Sequence, residues 1–142
     1  MTLSDILAVK GRKVYTISAG AMLSDVVEQL VAHNVGSLVV CDGGGCMVGI
    51  ITERDILRAC ALQAGTLETM PVAKFMTQHV ITATPQDDVE NVMGLMTEHR
   101  IRHLPVLQDD RLVGIISIGD TVKAQYDNLC RENHYLMAYI QS

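Results

Sequence analysis

The chain of 142 residues contains one short motif twice, and this repeat constrains its fold more than any other feature. Gly-Ile-Ile-Thr-x-x-Asp at 49–55 returns as Gly-Ile-Ile-Ser-x-x-Asp at 114–120, a spacing of 65 residues (114 minus 49). Each copy indicates a buried strand that leads into a helix, with a hydroxyl residue at the junction. Such units usually stack, because one unit alone cannot bury its apolar face. The repeat therefore predicts one compact domain, or two halves that share a core.

The similarity of the two halves extends beyond this motif. With an offset of 66 residues, mainly apolar positions coincide: Val14 with Val80, Val26 with Val92, Val35 with Ile101, Leu38 with Leu104, and Val40 with Val106. One extra residue in the turn of the first hairpin then reduces the offset to 65 for the motif itself. A duplication is the simplest explanation of this pattern.

Hydrophobic periodicity and turn residues predict the same order of elements in both halves. The first half is predicted to contain a helix at 2–9, a strand at 14–17, a helix at 24–33, a hairpin of 38–41 and 47–51, and a helix from 52 to about 63. The second half is predicted to contain a short helix at 72–76, a strand at 80–82, a helix capped by Thr84 that begins at Pro85 and ends near His99, a hairpin of 104–107 and 112–116, and a helix from 117 through 140.

Composition supports a sizeable core and argues against nucleic acid as the main partner. Hydrophobic residues make up 49% of the chain and aromatic residues 4%, so Val, Ile, Leu and Met must fill the interior. The net charge of −5 does not suit a protein that grips a nucleic-acid backbone, which requires clustered Lys and Arg. We therefore expect no DNA partner. A few local cations can still hold a small anionic ligand.

The cysteines and the hydropathy pattern predict a cytoplasmic protein. Cys41, Cys46, Cys60 and Cys130 form no CxxC pair, and we interpret them as free thiols. A metal or disulfide pair at Cys41 and Cys46 is the alternative, but no His joins them at a ligand spacing, so no metal is predicted. No secretory signal opens the chain, and no apolar run reaches the roughly 18 residues of a membrane span. We expect no membrane partner.

The motifs together resemble the paired cystathionine-β-synthase (CBS) domain, or Bateman module, in its stand-alone two-repeat form. The resemblance rests on the repeated motif, on Phe75-Met76-Thr77 with Thr82-x-Thr84-Pro85, and on Ile101-Arg102-His103-Leu104-Pro105-Val106. It covers about residues 4 to 125 and implies an α+β fold. Two β-α-β-β-α repeats would pack sheet to sheet about a pseudo-twofold axis, with additional terminal helices. The implied division is a first repeat with the N-terminal helix at 1–66, a second repeat at 67–126, and a C-terminal helical extension at 127–142.

The resemblance also implies a function and partners. Clefts between the repeats would bind an adenosine-containing regulatory ligand: AMP, ADP, ATP, NAD or S-adenosylmethionine. No further cofactor is required, and the module is expected to form a homodimer that signals to an effector protein. An apolar stripe of Leu129, Leu136 and Ile140 on the last helix is expected to pack against the module or a second subunit.

The repeated motif has the groups that a nucleoside requires. Asp55 and Asp120 are the candidate acceptors for the two ribose hydroxyls, because a carboxylate takes both in charge-assisted hydrogen bonds. The helices that open at Thr52 and Ser117 present N–H groups to a phosphate, and the two hydroxyls add donors. Helix capping by the same Thr-x-x-Asp and Ser-x-x-Asp spacing is the plain alternative, and the two roles can coexist.

Strand residues and basic residues supply the remaining candidates. Those proposed to line an adenine slot are Thr16, Ile17, Val80 and Thr82. Arg102 and His103 precede a buried strand at positions where members of the resembled family place residues that reach the ligand phosphates, and a solvated loop is the alternative. Arg54 and Lys123 are further candidate cations. The first half has Gly36 and Ser37 at the positions of Arg102 and His103, so we expect the site of Asp120 to have the better cation supply and to bind more tightly than that of Asp55.

Three classes of function remain at this point. A regulatory nucleotide-binding module agrees with the repeat and with the resemblance. An enzyme is disfavoured because we find no Ser-His-Asp pattern, no Walker loop and no HExxH motif, and the glycines at 43–45 lie in a hairpin tip rather than before a helix. A ligand-free interaction scaffold, with RNA binding as a variant that the acidic balance disfavours, is the third class.

Overall fold

The computed structural model describes residues 1–62 and 65–141 as an α+β protein with two small sheets. Its helices and strands, in chain order, are α1 (Leu3–Lys10), β1 (Thr16–Ser18), α2 (Leu23–His33), β2 (Ser37–Cys41), β3 (Met47–Thr52), α3 (Glu53–Leu62), a 3₁₀ turn (Leu67–Thr69), α4 (Val72–Phe75), α5 (Val89–His99), β4 (His103–Gln108), β5 (Arg111–Ser117) and α6 (Ile118–Gln141). The predicted α+β class and the two-repeat organisation are confirmed. The predicted end of the third helix at about Gln63 lies outside the described residues.

Each of the two sheets contains an antiparallel hairpin, but only the first sheet has a third strand beside it. In the first half β1 is parallel to β2, and β2 is antiparallel to β3. In the second half β4 and β5 form a two-stranded sheet. The predicted strand at 80–82 is wrong, because the segment makes a single parallel bridge, from Ala83 to Val106.

A proline explains the missing strand. In the first sheet the Val39 N–H donates to the Tyr15 carbonyl at 3.1 Å. The counterpart of Val39, 66 residues later, is Pro105, which has no N–H to donate. The corresponding bond to the Ile81 carbonyl therefore does not form, and pairing is confined to Ala83.

The start of α5 also differs from the sequence prediction. We expected Thr84 as its cap and Pro85 as its first residue, but the helix begins at Val89 with Asp88 as its cap. The Asp88 side chain accepts hydrogen bonds from two N–H groups of the first helical turn, at 3.1 and 3.4 Å. Thr84 instead opens a turn, in which its N–H donates to Asp87 Oδ2 at 2.9 Å. An aspartate accepts such bonds more strongly than a hydroxyl, so the later position prevails.

Each half buries a segment that the sequence division assigns to the other half. Leu3 and Leu7 of α1, from the first division, pack into the core of the second sheet. Met70 and Val72, from the second division, pack into the core of the first. The third division, 127–142, begins inside α6, which is continuous. No helix in the described parts of the chain has both the length and the apolarity to cross a membrane.

Truncation of α1 at its buried face should destabilise the second half. Leu7 is 1% exposed and lies directly against Gly114 of β5, so Leu7→Ala leaves a cavity. We expect the free energy of unfolding to fall by about 2–5 kcal/mol in urea denaturation. Val9→Ala, at an 87% exposed position of the same helix, is the control and should change it by less than about 0.5 kcal/mol. Equal losses in the two variants would show that α1 is not part of the core.

Candidate functional site

A cavity of about 680 Å³ lies between the two halves. One wall is the end of β3 and the start of α3, and the opposite wall is the segment at 79–81 together with the loop from α5 to β4. The junction of β5 and α6 closes one side through Ser117 and Ile118. Both copies of the repeated motif therefore contribute to the cavity: the copy at 49–55 forms one wall, and the copy at 114–120 closes one side.

The structure brings together most of the predicted site residues. Those that line this cavity are Thr52, Arg54, Asp55, Val80, Arg102, His103 and Ser117. The five predicted residues outside its lining are Thr16, Ile17, Thr82, Asp120 and Lys123. Thr16 and Ile17 lie in β1 of the first sheet, and Thr82 precedes the bridge at Ala83. Asp120 lies at the start of α6, where it contacts Lys10.

Asp55 is the carboxylate of the cavity, and it is held in place by its own motif. The residue is 9% exposed. Its Oδ2 accepts hydrogen bonds from the Thr52 N–H at 3.0 Å and from the Thr52 hydroxyl at 3.1 Å. Its Oδ1 accepts a bond of 3.5 Å from the Thr77 hydroxyl, across the interface between the halves. Capping therefore uses one oxygen, while the other has a single weak donor and retains acceptor capacity.

Positive charge collects around this carboxylate. The cavity is lined by four arginines and three histidines: Arg54, Arg58, Arg100, Arg102, His79, His99 and His103. The acidic residues among its lining are Glu53 and Asp55. Arg54 Nη1 also donates to the Arg100 carbonyl at 3.4 Å, which joins the two halves. In a chain with a net charge of −5, the four arginines make this cavity suited to an anion.

Arg102 and His103 lie at the cavity of Asp55 and not, as expected, at the site of Asp120. The sequence suggested that Arg102 and His103 would supply Asp120, which is in the same half. The structure places them at the cavity of Asp55, because Arg102, in the loop before β4, and His103, the first residue of β4, both face the motif of the other half. The basis for expecting tighter binding at Asp120 is therefore wrong.

His103 is packed at the point where the two sheets meet. A Cβ atom on Gly36 would lie 2.9 Å from His103 Nε2 and 2.5 Å from Glu53 Oε1, so the absence of a side chain at 36 makes room for both. Burial lowers the pKa of His103; Glu53 opposes this effect, and Lys10 and Arg102 add to it. His103 is therefore neutral near pH 7 and serves as a single N–H donor rather than as a cation.

Asp120, the counterpart of Asp55, has a different partner. Its Oδ2 accepts from the Ser117 N–H at 2.8 Å and from Lys10 Nζ at 2.6 Å. Burial alone would raise the pKa of Asp120, but the hydrogen bonds from Lys10 and Ser117 outweigh it and lower the pKa. Lys123, a candidate cation, lines a smaller groove between α1 and α6.

The sequence analysis missed several residues of the site. Thr77 and Ile81 line the cavity beside Asp55, and Lys10 pairs with Asp120. The offset of 66 could have indicated this difference, because it aligns Met76-Thr77 with Lys10-Gly11. The two equivalent carboxylates therefore have different residues at equivalent positions beside them. Among the described residues, no group of three or more potential ligands could hold a metal ion, and the four cysteines are free.

Comparison with known proteins identifies relatives over nearly the whole chain. The family profile described as CBS domain matches residues 2–62 and 72–127. The mitochondrial CBS domain-containing protein CBSX3 of Arabidopsis thaliana is 38% identical over 99% of this chain and 72% of its own length. The crystal structure of the CBS-domain containing protein ATU1752 from Agrobacterium tumefaciens superposes with a TM-score of 0.86 at 38% identity, covering 88% of this chain and 99% of that one.

Two further solved structures carry ligands. PAE2072 from Pyrobaculum aerophilum, complexed with AMP, has a TM-score of 0.75 at 30% identity and covers 84% of this chain and 89% of its own. The CBS domain pair of protein MJ0100, in complex with 5-methylthioadenosine and S-adenosyl-L-methionine, has a TM-score of 0.79 at 29% identity and covers 90% of this chain and 98% of its own. All three ligands contain adenosine.

Neutral His103 should make stability depend on pH. Its lowered pKa means that the unfolded chain binds more protons below about pH 6.5, so stability falls as pH decreases through that range. The lowered pKa of Asp120 acts below about pH 4 and does not enter this window. His103→Gln should reduce the loss in free energy of unfolding between about pH 7.5 and 5.5, measured in urea. His79→Gln, at an exposed residue of the cavity mouth, should keep the loss of the unaltered chain. The same loss in both variants would contradict a neutral, half-buried His103.

Proposed function

The chain belongs to the CBS domain family, and on this basis we propose that it is a regulatory module that binds an adenosine nucleotide at Asp55. The observation that carries the proposal is a single cavity that combines a nearly buried carboxylate with four arginines. A nucleoside phosphate needs both groups, one for the ribose and one for the phosphate. AMP in a relative of 30% identity supports the same class of ligand.

The ribose and the adenine have separate partners in this proposal. Asp55 Oδ1, whose one donor is 3.5 Å away, accepts the ribose hydroxyls. Val80 and Ile81 supply an apolar wall for the base. Because Pro105 cannot donate to the Ile81 carbonyl, that carbonyl is an acceptor for the exocyclic amino group of adenine. Among the described residues, the backbone hydrogen bonds outside helices and strands include none to the Ile81 carbonyl.

The charge of the cavity favours a phosphate over a sulfonium. Arg54 and Arg102 are exposed at the mouth, where guanidinium groups can hold phosphate oxygens in bidentate pairs. His103 adds one neutral N–H donor at the inner end. S-Adenosylmethionine carries a positive charge at its sulfur and should be repelled by the same arginines. We therefore propose AMP, ADP, ATP or NAD as the ligand and rank S-adenosylmethionine below them.

Binding is proposed to regulate a partner rather than to lead to catalysis. Asp55 comes from the first half and Arg102 from the second, so a nucleotide that contacts both favours one relative position of the halves. A ligand shifts such an equilibrium only by its difference in affinity for the two states. An effector protein would read the shift.

The module is also proposed to be a homodimer through α6. Exposed apolar side chains recur at intervals of three, four and seven residues along one face of this helix: Val122, Tyr126, Leu129, Leu136 and Ile140. The opposite face, with Ala124 and Asn128, lines the groove against α1. Asn133 continues the row at a central position, where a polar residue in a helix pair selects an identical partner in register.

Charges placed in this row should dissociate the dimer. Leu129→Lys with Leu136→Lys puts like charges on facing helices, so the dimer should become a monomer in sedimentation equilibrium at micromolar concentration. His134→Lys, which adds the same charge on another exposed face of α6, is the control and should remain dimeric. A monomeric unaltered chain, or a dimer that survives the double substitution, would refute pairing through α6.

Removal of the Asp55 charge should weaken nucleotide binding without loss of the fold. Asp55→Asn keeps an oxygen acceptor for the Thr52 N–H, so the cap is retained while the charge-assisted bonds to ribose are lost. We expect AMP affinity to fall by at least about tenfold in isothermal titration, with a smaller thermal shift. Asp110→Asn, in the turn between β4 and β5, is the control and should bind as the unaltered chain does.

The thermal shift of the unaltered chain should test the order of affinity among the ligands. AMP, ADP, ATP and NAD should stabilise the unaltered chain against heat more than adenosine or S-adenosylmethionine does. A chain that no adenosine compound stabilises would be an interaction scaffold, and turnover of any of them would make it an enzyme.

A further inference from the structure

The second motif has a cation from the chain itself at the position where the first motif has Thr77. We propose that Lys10, which pairs with Asp120 where Thr77 contacts Asp55, weakens the second carboxylate as an acceptor for ribose, and that it thereby limits the chain to one bound nucleotide. The inference rests on the proposed function of Asp55, because it compares the two carboxylates of one duplication. Lys10 would then determine which of two similar sites takes a ligand.

The two sites are equivalent within their own motifs. The Thr52 N–H donates to Asp55 Oδ2 at 3.0 Å, and the Ser117 N–H donates to Asp120 Oδ2 at 2.8 Å. In each case the hydroxyl of the same residue accepts from the N–H of the aspartate, at 3.3 and 3.1 Å. Each motif therefore holds its carboxylate through the same pair of backbone and hydroxyl contacts.

The partner from the opposite half is where the sites differ. At the first site the Thr77 N–H donates to the Ile50 carbonyl at 2.9 Å, and its hydroxyl reaches Asp55 Oδ1 at 3.5 Å. At the second site one ammonium makes both contacts: Lys10 Nζ donates to the Ile115 carbonyl at 2.6 Å and to Asp120 Oδ2 at 2.6 Å. Ile115 is the counterpart of Ile50 at the offset of 65. The lysine thus takes the place of a neutral backbone and hydroxyl pair.

The N-terminal helix keeps the lysine there. Lys10 is the last residue of α1, and Gly11, the counterpart of Thr77, ends the helix with a positive φ of 98° and has no hydroxyl to offer. Leu7, one turn earlier, is buried against Gly114 beside the same motif. The ammonium is therefore positioned by a packed helix rather than by a free chain end.

Charge makes this occupant hard to displace. The side chains of Lys10 and Asp120 are 32% and 25% exposed, so their pairing is only partly screened by water. The ion pairs among the described residues join Lys10 to Asp120 and the N-terminus to Asp88, and none involves Asp55. Ribose hydroxyls at Asp55 meet a carboxylate that has no ion pair, whereas at Asp120 they must compete with an ammonium for the charge of the carboxylate.

The test is the number of AMP molecules bound per chain in isothermal titration. The unaltered chain should bind about one, and Lys10→Met, which keeps the apolar stem and removes the charge, should bind about two. Lys13→Met is the matched control and should bind about one, because Lys13 lies over the Tyr15 ring, 5.1 Å from its centroid, rather than at the carboxylate. The second AMP in Lys10→Met should disappear when Asp120→Asn is added.

The outcomes separate this inference from the proposed function. Two AMP molecules on the unaltered chain, or one on Lys10→Met, would overturn the role of Lys10 and leave Asp55 as a site. No AMP on the unaltered chain but one on Lys10→Met, lost again with Asp120→Asn, would refute the site at Asp55 and support the role of Lys10. Absence of AMP from both proteins would refute both.

Discussion

The molecule depends on an exchange of apolar segments between its halves. α1 supplies Leu3 and Leu7 to the second core, and the segment after the first repeat supplies Met70 and Val72 to the first core. Burial of apolar surface is worth about 25 cal/mol per Å², so each half loses stability if the other moves away. The exchange therefore brings the motif of one half against the loops of the other, and the cavity between them is a consequence of core formation.

Duplication supplies two like carboxylates, but their surroundings separate their roles. Asp55 contacts neutral Thr77 and lines a cavity that also contains four arginines, whereas Asp120 is paired with the ammonium of Lys10. A carboxylate that already has a cation gains little from a second donor, while one that has only hydroxyl and amide donors can accept more. Unequal neighbours thus turn a symmetric fold into an asymmetric pair of sites.

Much of the fold could be predicted from local sequence, and the errors have physical causes. Periodicity placed the two hairpins and the helices because each depends on side chains close in sequence. The prediction of a strand at 80–82 was wrong because the facing residue is Pro105, which has no N–H to donate. This lack matters only when the two segments pair, so the sequence of 80–82 alone does not reveal it. The predicted start of α5 was wrong because Thr84 and Asp88 are both acceptable cap residues, and the chain forms a turn at Thr84 before the helix begins at Val89.

The sequence by itself determined the repeat, the α+β class and the residue types of the site, since a strand, a hydroxyl and a carboxylate at fixed spacing are local properties. Tertiary structure decided which residues meet. Because the halves face each other, Arg102 and His103 line the cavity of Asp55, the carboxylate of the other half. Lys10 likewise contacts Asp120, which lies 110 positions away in the chain. Spacing along a chain does not encode such pairings, because they depend on which apolar faces become buried together.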